Sequence, residues 1–283
     1  MAIASSEWTG TDVGIADIER ALAELRDETD LRTSVMTHVA WVPHDWREAA
    51  RETLAGLAER HPSRTILLFP DPDEDRDAID ATVTIERYAL PGLERHVCSE
   101  VIELRLQGAR GRAPASIVLP LELPDLTAFL RWRGRPPFAT PVFEQLIGVV
   151  DRLIVDSIEW PDAPQSYAEL SAWFDRVAVS DIVWTRTIRW RRAIALMWPI
   201  EPTVLHVRGP EQEASLLAGW LRSRLDRDVE LRCEPADHIE LLELDGKEVH
   251  AREERWSPSE LLSHELDRFS RDTNYEAAVL AAT

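Results

Sequence analysis

Apolar and polar positions alternate at period two through ATVTIERYAL (81–90) and HVCSEVIELRL (96–106), which marks both as strands of a half-solvated sheet. TSVMTHVAWV (33–42) is apolar and β-branched enough for a buried strand, and TILLFP (65–70) reads as another. ASIVLPL (115–121) and DLTAFLRW (125–132) are the next strand candidates, followed by RLIVDSI (152–158). Helical spacing runs through residues 12–28, through WREAARETLAGLAER (46–60) and from Thr140 to Val150. This order predicts an α/β fold in which a mixed sheet carries flanking helices.

WPDAPQSYA (160–168) holds two prolines and little apolar content, which places a domain boundary there. The expectation is an N-terminal α/β domain over 1–160 and a smaller C-terminal α/β domain over 161–283. Beyond the boundary the spacing predicts helices at 168–178 and 181–198, a strand TVLHVRG (203–209), a helix EQEASLLAGWLRSRL (211–225) and a strand VELRCE (229–234). IELLEL and KEVHARE flank Asp245-Gly246, the strongest hairpin signal in the chain. SPSELLSHELDRF then reads as a helix capped by Ser257 or Ser259, with a short helical tail behind it.

The segment DIVWTRTIRWRRAIALMWP (181–199) is the most informative one. As a helix it carries an apolar stripe of Val183, Thr187, Trp190, Ile194 and Met197, widened by Trp184, Ile188, Ala195 and Trp198. Arg191 falls inside the widened face and needs a partner, because an isolated buried charge is too costly to keep. Two readings are open. Tryptophan and arginine are enriched where interface energy concentrates, and the same face could instead be core with Arg191 meeting one of the chain's own acids. Trp190 lies near the centre of the stripe and is expected in the core, while Arg186 and Arg191 bracket it and are expected at the surface.

The 283 residues are enough for two domains or one large α/β unit. The formal net charge of −19 repels nucleic acid and anionic membrane surfaces. Lys247 is the sole lysine against 31 arginines, a skew that fits GC-rich coding better than any site. The amino terminus has neither the basic nor the apolar region of a secretory signal, and the longest stretch without charge is residues 33–44, too short for a membrane span. Cys98 and Cys233 stand far apart, as free thiols in a reducing cytoplasm do.

Motifs for common chemistry are missing. GARGRA (108–113) has the wrong glycine spacing for a dinucleotide fingerprint, and no GxxxxGK[ST], HExxH, CxxC or GxSxG occurs. No histidines fall at i, i+4. No catalytic residue, metal or cofactor is therefore assigned. Asp71, Asp73 and Asp75 imitate a calcium loop, yet Arg76 takes the glycine position and Thr82 the bidentate glutamate position. Arg105, Arg110, Arg112, Arg131, Arg133 and Arg135 form a local basic stretch, in which Arg131, Arg133 and Arg135 around Gly134 could hold a phosphate at the sheet's carboxyl edge.

Six ordered blocks resemble the glucose-6-phosphate dehydrogenase assembly protein family, OpcA, of actinobacteria and cyanobacteria. They are RTSVMTHVAWV (32–42), HPSR (61–64), CSEVIEL (98–104), ASIVLPLELPDLTAFLRWRGRPPF (115–138), DRLIVDS (151–157) and SDIVWTRTIRWRRAIA (180–195). Arg131 stands where the family phrase LWWRG has its first tryptophan, leaving Trp132, Arg133 and Gly134. The resemblance implies a cytoplasmic, noncatalytic partner of glucose-6-phosphate dehydrogenase, the entry enzyme of the oxidative pentose phosphate pathway. On that reading Trp184, Arg186, Trp190, Arg191, Trp132 and Arg133 are partner-binding candidates, acting by direct protein-protein binding that activates the enzyme allosterically. The alternative is a sugar-phosphate-binding regulator or cryptic enzyme using the arginines of 105–135. Two isolated cysteines give no ground for carrying over the redox control of cyanobacterial members.

Overall fold

The computed structural model describes residues 4–27, 30–31, 34–55, 57, 60–89 and 96–283. Residues 28, 33 and 90, at the edges of three expected elements, and 56, 58 and 59 of the expected helix 46–60 lie outside the described residues. The chain forms two compact units, Met1–Leu153 with Pro258–Phe269, and Ile154–Ser257 with Ser270–Thr283. The expected linker at 160–168 lies within the second unit, where Trp160 is buried and a helix has already begun.

In chain order the elements begin β1 (Ala4–Gly10), α1 (Ile15–Leu25), β2 (Asp30–Leu31), β3 (Thr37–Trp41), α2 (Arg47–Ala55), β4 (Arg64–Asp71), β5 (Ile79–Ala89) and β6 (His96–Gln107). Next come α3 (Ala115–Leu121), β7 (Ala128–Trp132), α4 (Pro141–Ile147) and β8 (Arg152–Val155). The second unit has α5 (Ala163–Ser171), β9 (Ala178–Asp181), α6 (Ile182–Arg186), α7 (Ile188–Ala195), β10 (Val204–Arg208), α8 (Glu211–Leu225), β11 (Glu230–Glu234), β12 (Leu241–Leu244) and β13 (Lys247–Glu248). α9 (Pro258–Leu266) returns to the first unit, and α10 (Thr273–Ala282) closes the second.

The first unit is the expected mixed α/β sheet, ordered β1-β5-β6-β4-β3-β7. β3, β4, β6 and β7 pair in parallel, while β1, β5 and β6 pair antiparallel. Register sets the chemistry of its two faces, because side chains alternate along each strand. Val39, Ile66, Leu68, Val83, Ile102 and Leu130 share one face, and all are fully buried. The opposite face carries His38, Thr65, Ser99, Glu103 and Thr82. There α2 supplies Ala50 and Leu54 to a small cluster with Ala40, Val42, Leu67 and Phe69. α9 joins α2 through Ser259 Oγ, which donates to Thr53 O at 2.7 Å.

In the second unit β10 pairs in parallel with β11 and antiparallel with β12. The expected hairpin joins β12 to β13 through Asp245 and Gly246, at φ 49° and 78°. Two consecutive positive φ values are what a two-residue turn between right-twisted strands requires. Leu205, Val207, Leu217, Leu221, Val229 and Leu242 form its core.

Several expectations change. ASIVLPL is α3, not a strand: a run of seven residues, six of them apolar, carries no period that separates a strand from a buried helix, and Pro114 and Pro120 cannot donate into a sheet ladder. The strand at 152–158 stops at Val155, and Ser157–Glu159 is a 3-10 turn. The helix expected at 168–178 is α5, beginning at Ala163, and residues 178–181 are the short strand β9. β1 was not expected at all. It pairs with β5 along its whole length, although its own alternation is weak and largely exposed.

Candidate functional site

The segment 181–198 is not one helix. α6 and α7 meet at Thr187, whose hydroxyl donates to Trp184 O at 2.9 Å and so competes with helical hydrogen bonding there. Val183, Thr187, Trp190 and Ile194 of the expected stripe are buried, and Met197 is partly so. Trp184 is buried as well, but Ala195 and Trp198, expected to widen the face, are exposed, Ala195 on the last turn of α7 and Trp198 beyond its end.

Arg186 and Arg191 find partners within the fold. Arg186 makes a bidentate pair with Asp156 at 2.7 and 2.9 Å. Burial works against the Arg186 charge, but Asp156 outweighs it and holds the guanidinium protonated. The guanidinium of Arg191 lies 3.4 Å from the centre of the Trp184 ring, and its Nη2 donates to Trp184 O at 2.8 Å. Trp184 in turn donates from Nε1 to Asp272 at 2.9 Å, the residue that caps α10. Trp190 packs with Ile194 in the second unit's core, as expected, under the guanidinium of Arg189.

Around this segment lies a buried acidic cluster that the sequence did not reveal. Asp181, fully buried, caps α6 by accepting from Val183 N at 2.9 Å, and also accepts from Ser157 N at 3.1 Å. Burial, then the neighbouring Asp156, pushes its carboxyl up to about 7. Ser157 and Tyr167 share a hydrogen bond of 2.7 Å, and burial raises Tyr167 well above its usual range. Burial likewise raises Glu213, opposed by the charge of Arg186. The signal available in the sequence was only DS at 156–157 and SD at 180–181, polar pairs ending apolar strands.

In the first unit the arginines of 131–135 point to different partners. Alternation along β7 sends Arg131 and Trp132 to opposite faces. Arg131 is 4% exposed and donates to Trp132 O. Trp132 is buried, stacked on Trp41 at 5.2 Å with Phe143 edge-on at 5.3 Å. Arg133 lies 4.6 Å over Trp46, and Arg135 5.4 Å over Phe138. Gly134 turns the chain between them at φ +75°, with Trp46 Nε1 3.3 Å from where a Cβ would sit. Arg105 is paired with Asp71 at 2.7 Å, and Arg110 and Arg112 are exposed in a separate turn.

The acidic loop after β4 is structural in its contacts. Asp71 meets Arg105, Asp77 accepts from Ala109 N at 2.6 Å, and Asp80 accepts from Gln107 Nε2 at 2.6 Å. Among the described residues no group of three His, Cys, Asp or Glu side chains is placed to hold a metal. No helix of the described residues is long and apolar enough to cross a membrane. His61 Nε2 is 2.6 Å from Ser263 Oγ, yet Asp267 stands 3.9 Å from the other ring nitrogen, beyond the reach needed to orient a general base.

Residues 55–172 match the family model described as the glucose-6-phosphate dehydrogenase subunit N-terminal domain. A protein of Nostoc punctiforme named "Putative OxPP cycle protein OpcA" is 26% identical over 215 residues, 69% of this chain and 46% of that protein. Proteins of the same name from Synechococcus elongatus and Synechocystis sp. are each 24% identical, over 64% and 60% of this chain and 44% and 38% of their own lengths. The chain thus spans less than half the length of these curated relatives, which are cyanobacterial. The matched domain and the three relatives alike make this chain similar to the OpcA proteins.

Proposed function

We propose that this protein is a noncatalytic factor of the oxidative pentose phosphate pathway that binds glucose-6-phosphate dehydrogenase directly and favours its active assembly. The observation that carries this reading is the match of residues 55–172 to a domain described as belonging to a glucose-6-phosphate dehydrogenase subunit. The relatives' name, which refers to the OxPP cycle, supports the same pathway. Activation of this kind is a population shift, driven by tighter binding to the active state than to the inactive one.

Trp132, Trp184 and Trp190 turn their rings inward, so their part in docking is to hold arginines in place. Trp184 carries Arg191, while Trp132 stacks in the core next to the turn that presents Arg133 on Trp46. Leu196 and Trp198, 88% and 65% exposed directly after α7, supply the apolar contact of the same segment. Mixing the chain with the dehydrogenase of its own organism tests the proposal. A complex by light scattering and altered substrate saturation are expected, and Trp198→Ala weakens the complex about tenfold or more while the fold is unchanged. Unchanged kinetics with no complex overturn it.

A further inference from the structure

Not all the polar groups on the second face of the first unit's sheet are used by the fold. Between that face and the helices α2 and α9 lies a cavity of about 240 Å3. His38 of β3, Thr65 of β4 and Ser99 of β6 line it, with Ser63 directly before β4 and His61 at one side. His38 is 2% exposed, and its Nε2 meets no hydrogen-bond partner among the described residues. A buried ring nitrogen left without a partner is costly, and beside a cavity the missing partner has room to be a bound molecule. We propose that this cavity binds a small neutral polyhydroxylated molecule of monosaccharide size, held by His38 Nε2 and the hydroxyls of Thr65 and Ser99.

Size, charge and shape lead to that class. The volume exceeds a single water, at about 30 Å3, and falls below the roughly 300–1,000 Å3 of drug-sized pockets. Burial, then the charges of Arg131 and His61, pushes His38 down to about 4, so the ring facing the cavity is neutral. The cation on the lining, Arg51, is held by Glu103 at 2.6 Å, and Glu86 adds a further acid. A phosphate ester would therefore meet carboxylates instead of an available guanidinium. Sugar hydroxyls both donate and accept, as do the serine, threonine and neutral imidazole groups that face them. Leu67 and Leu266 supply apolar wall for the ring carbons. Arg51 and Glu103 also border the neighbouring open groove around Phe69.

The test titrates the full chain with glycerol, D-ribose, D-glucose and myo-inositol, with glucose 6-phosphate and inorganic phosphate as counter-probes, following the imidazole nitrogens of His38 by NMR and the melting temperature. At least one neutral probe is expected to shift the His38 Nε2 resonance saturably, and the phosphorylated probes to bind more weakly. In His38→Phe, which lacks the observed nucleus, the rise in melting temperature given by the same probe should be abolished. Thr65→Val keeps the shape of its side chain and guards against a failure to fold, and it should weaken binding about tenfold. The proposal is overturned if no neutral probe shifts His38 at tens of millimolar, if the phosphate esters bind as well as the neutral sugars, or if folded Thr65→Val binds unchanged. None of these outcomes involves the dehydrogenase, so they stand apart from the assembly reading.

Discussion

Asp156, Asp181, Ser157 and Tyr167 of the second unit are buried together with the partly buried Arg186, and all are bonded to one another or to backbone amides. His38, Thr65 and Ser99 of the first unit are as deeply buried, yet they surround open volume and leave a ring nitrogen unmatched. Both groups sit where apolar strands end or turn polar, so burial alone does not separate them. Closure does: in the first group each charge is met by an opposite charge or a donor, whereas in the second Thr65 and Ser99 bond to Ser63 at 3.2 and 3.3 Å and His38 Nε2 is left without a partner among the described residues. A closed polar cluster rigidifies and specifies a fold, whereas an open one keeps capacity for a ligand.

Breaking the closed cluster gives the largest expected effect. Asp156→Ala leaves Arg186 partly buried without its bidentate partner and should cost on the order of 3 kcal/mol, read as a lower urea midpoint with an unchanged slope. A loss within a few tenths of a kcal/mol would mean that the cluster is wetter and looser than its geometry. Arg191→Ala removes the guanidinium stacked on Trp184 and should cost about 1–2 kcal/mol of stability. If affinity for the dehydrogenase falls while the melting temperature holds, Arg191 belongs to the docking surface and the closed cluster ends at Arg186.

Changes in pH sharpen the contrast, because the two groups respond with opposite sign. Asp181 keeps its proton in the folded chain up to about pH 7 and releases it near 3.8 when unfolded. Its contribution is therefore fully present below pH 3.8 and is lost as pH rises towards 7. His38, pushed down to about 4 from 6.5, stays neutral in the fold while the unfolded chain takes up a proton, so its contribution is present above pH 6.5 and lost as pH falls towards 4. Asp181→Asn should lift stability at pH 7.5 relative to pH 4.5, by at most on the order of 1 kcal/mol per unit of pH crossed. Urea midpoints of both chains at the two pH values decide it, and an unchanged difference would place the Asp181 proton elsewhere in the cluster.

The smallest effect is chemical. Cys98 is buried and its thiol pushed up to about 12, by burial first and then by Asp30, whereas Cys233, its thiol also raised, is exposed. Thiol labelling of the native chain should modify Cys233 first and Cys98 slowly, with two thiols counted after denaturation. Equal native rates would show that the first unit opens more readily than its packing implies.

Elements with a clear period were legible in the sequence. β5 and β6 alternate as expected, α8 spans 211–225 as expected, and Asp245-Gly246 makes the expected hairpin. α3 and β9 were not legible, since short apolar runs carry no period and their conformation follows from what packs on them. The tryptophans and arginines of 181–198 were singled out by composition, and the need of Arg191 for a partner followed from charge. That the partner includes the ring and carbonyl of Trp184 depended on the break at Thr187, a local competition that no spacing discloses.

The sequence by itself determined the α/β class, the acidic surface, the family blocks and the burial of Trp190, because each rests on composition or on residues near one another in the chain. Only tertiary structure decided that Asp156 would close on Arg186, 30 positions away, and that His38 would face Thr65 and Ser99 across three strands. Strand register and order bring those side chains to one face, and they are set by the packing of the whole sheet. A histidine in an apolar strand is the same letter whether its ring nitrogen ends against a carbonyl or against a cavity.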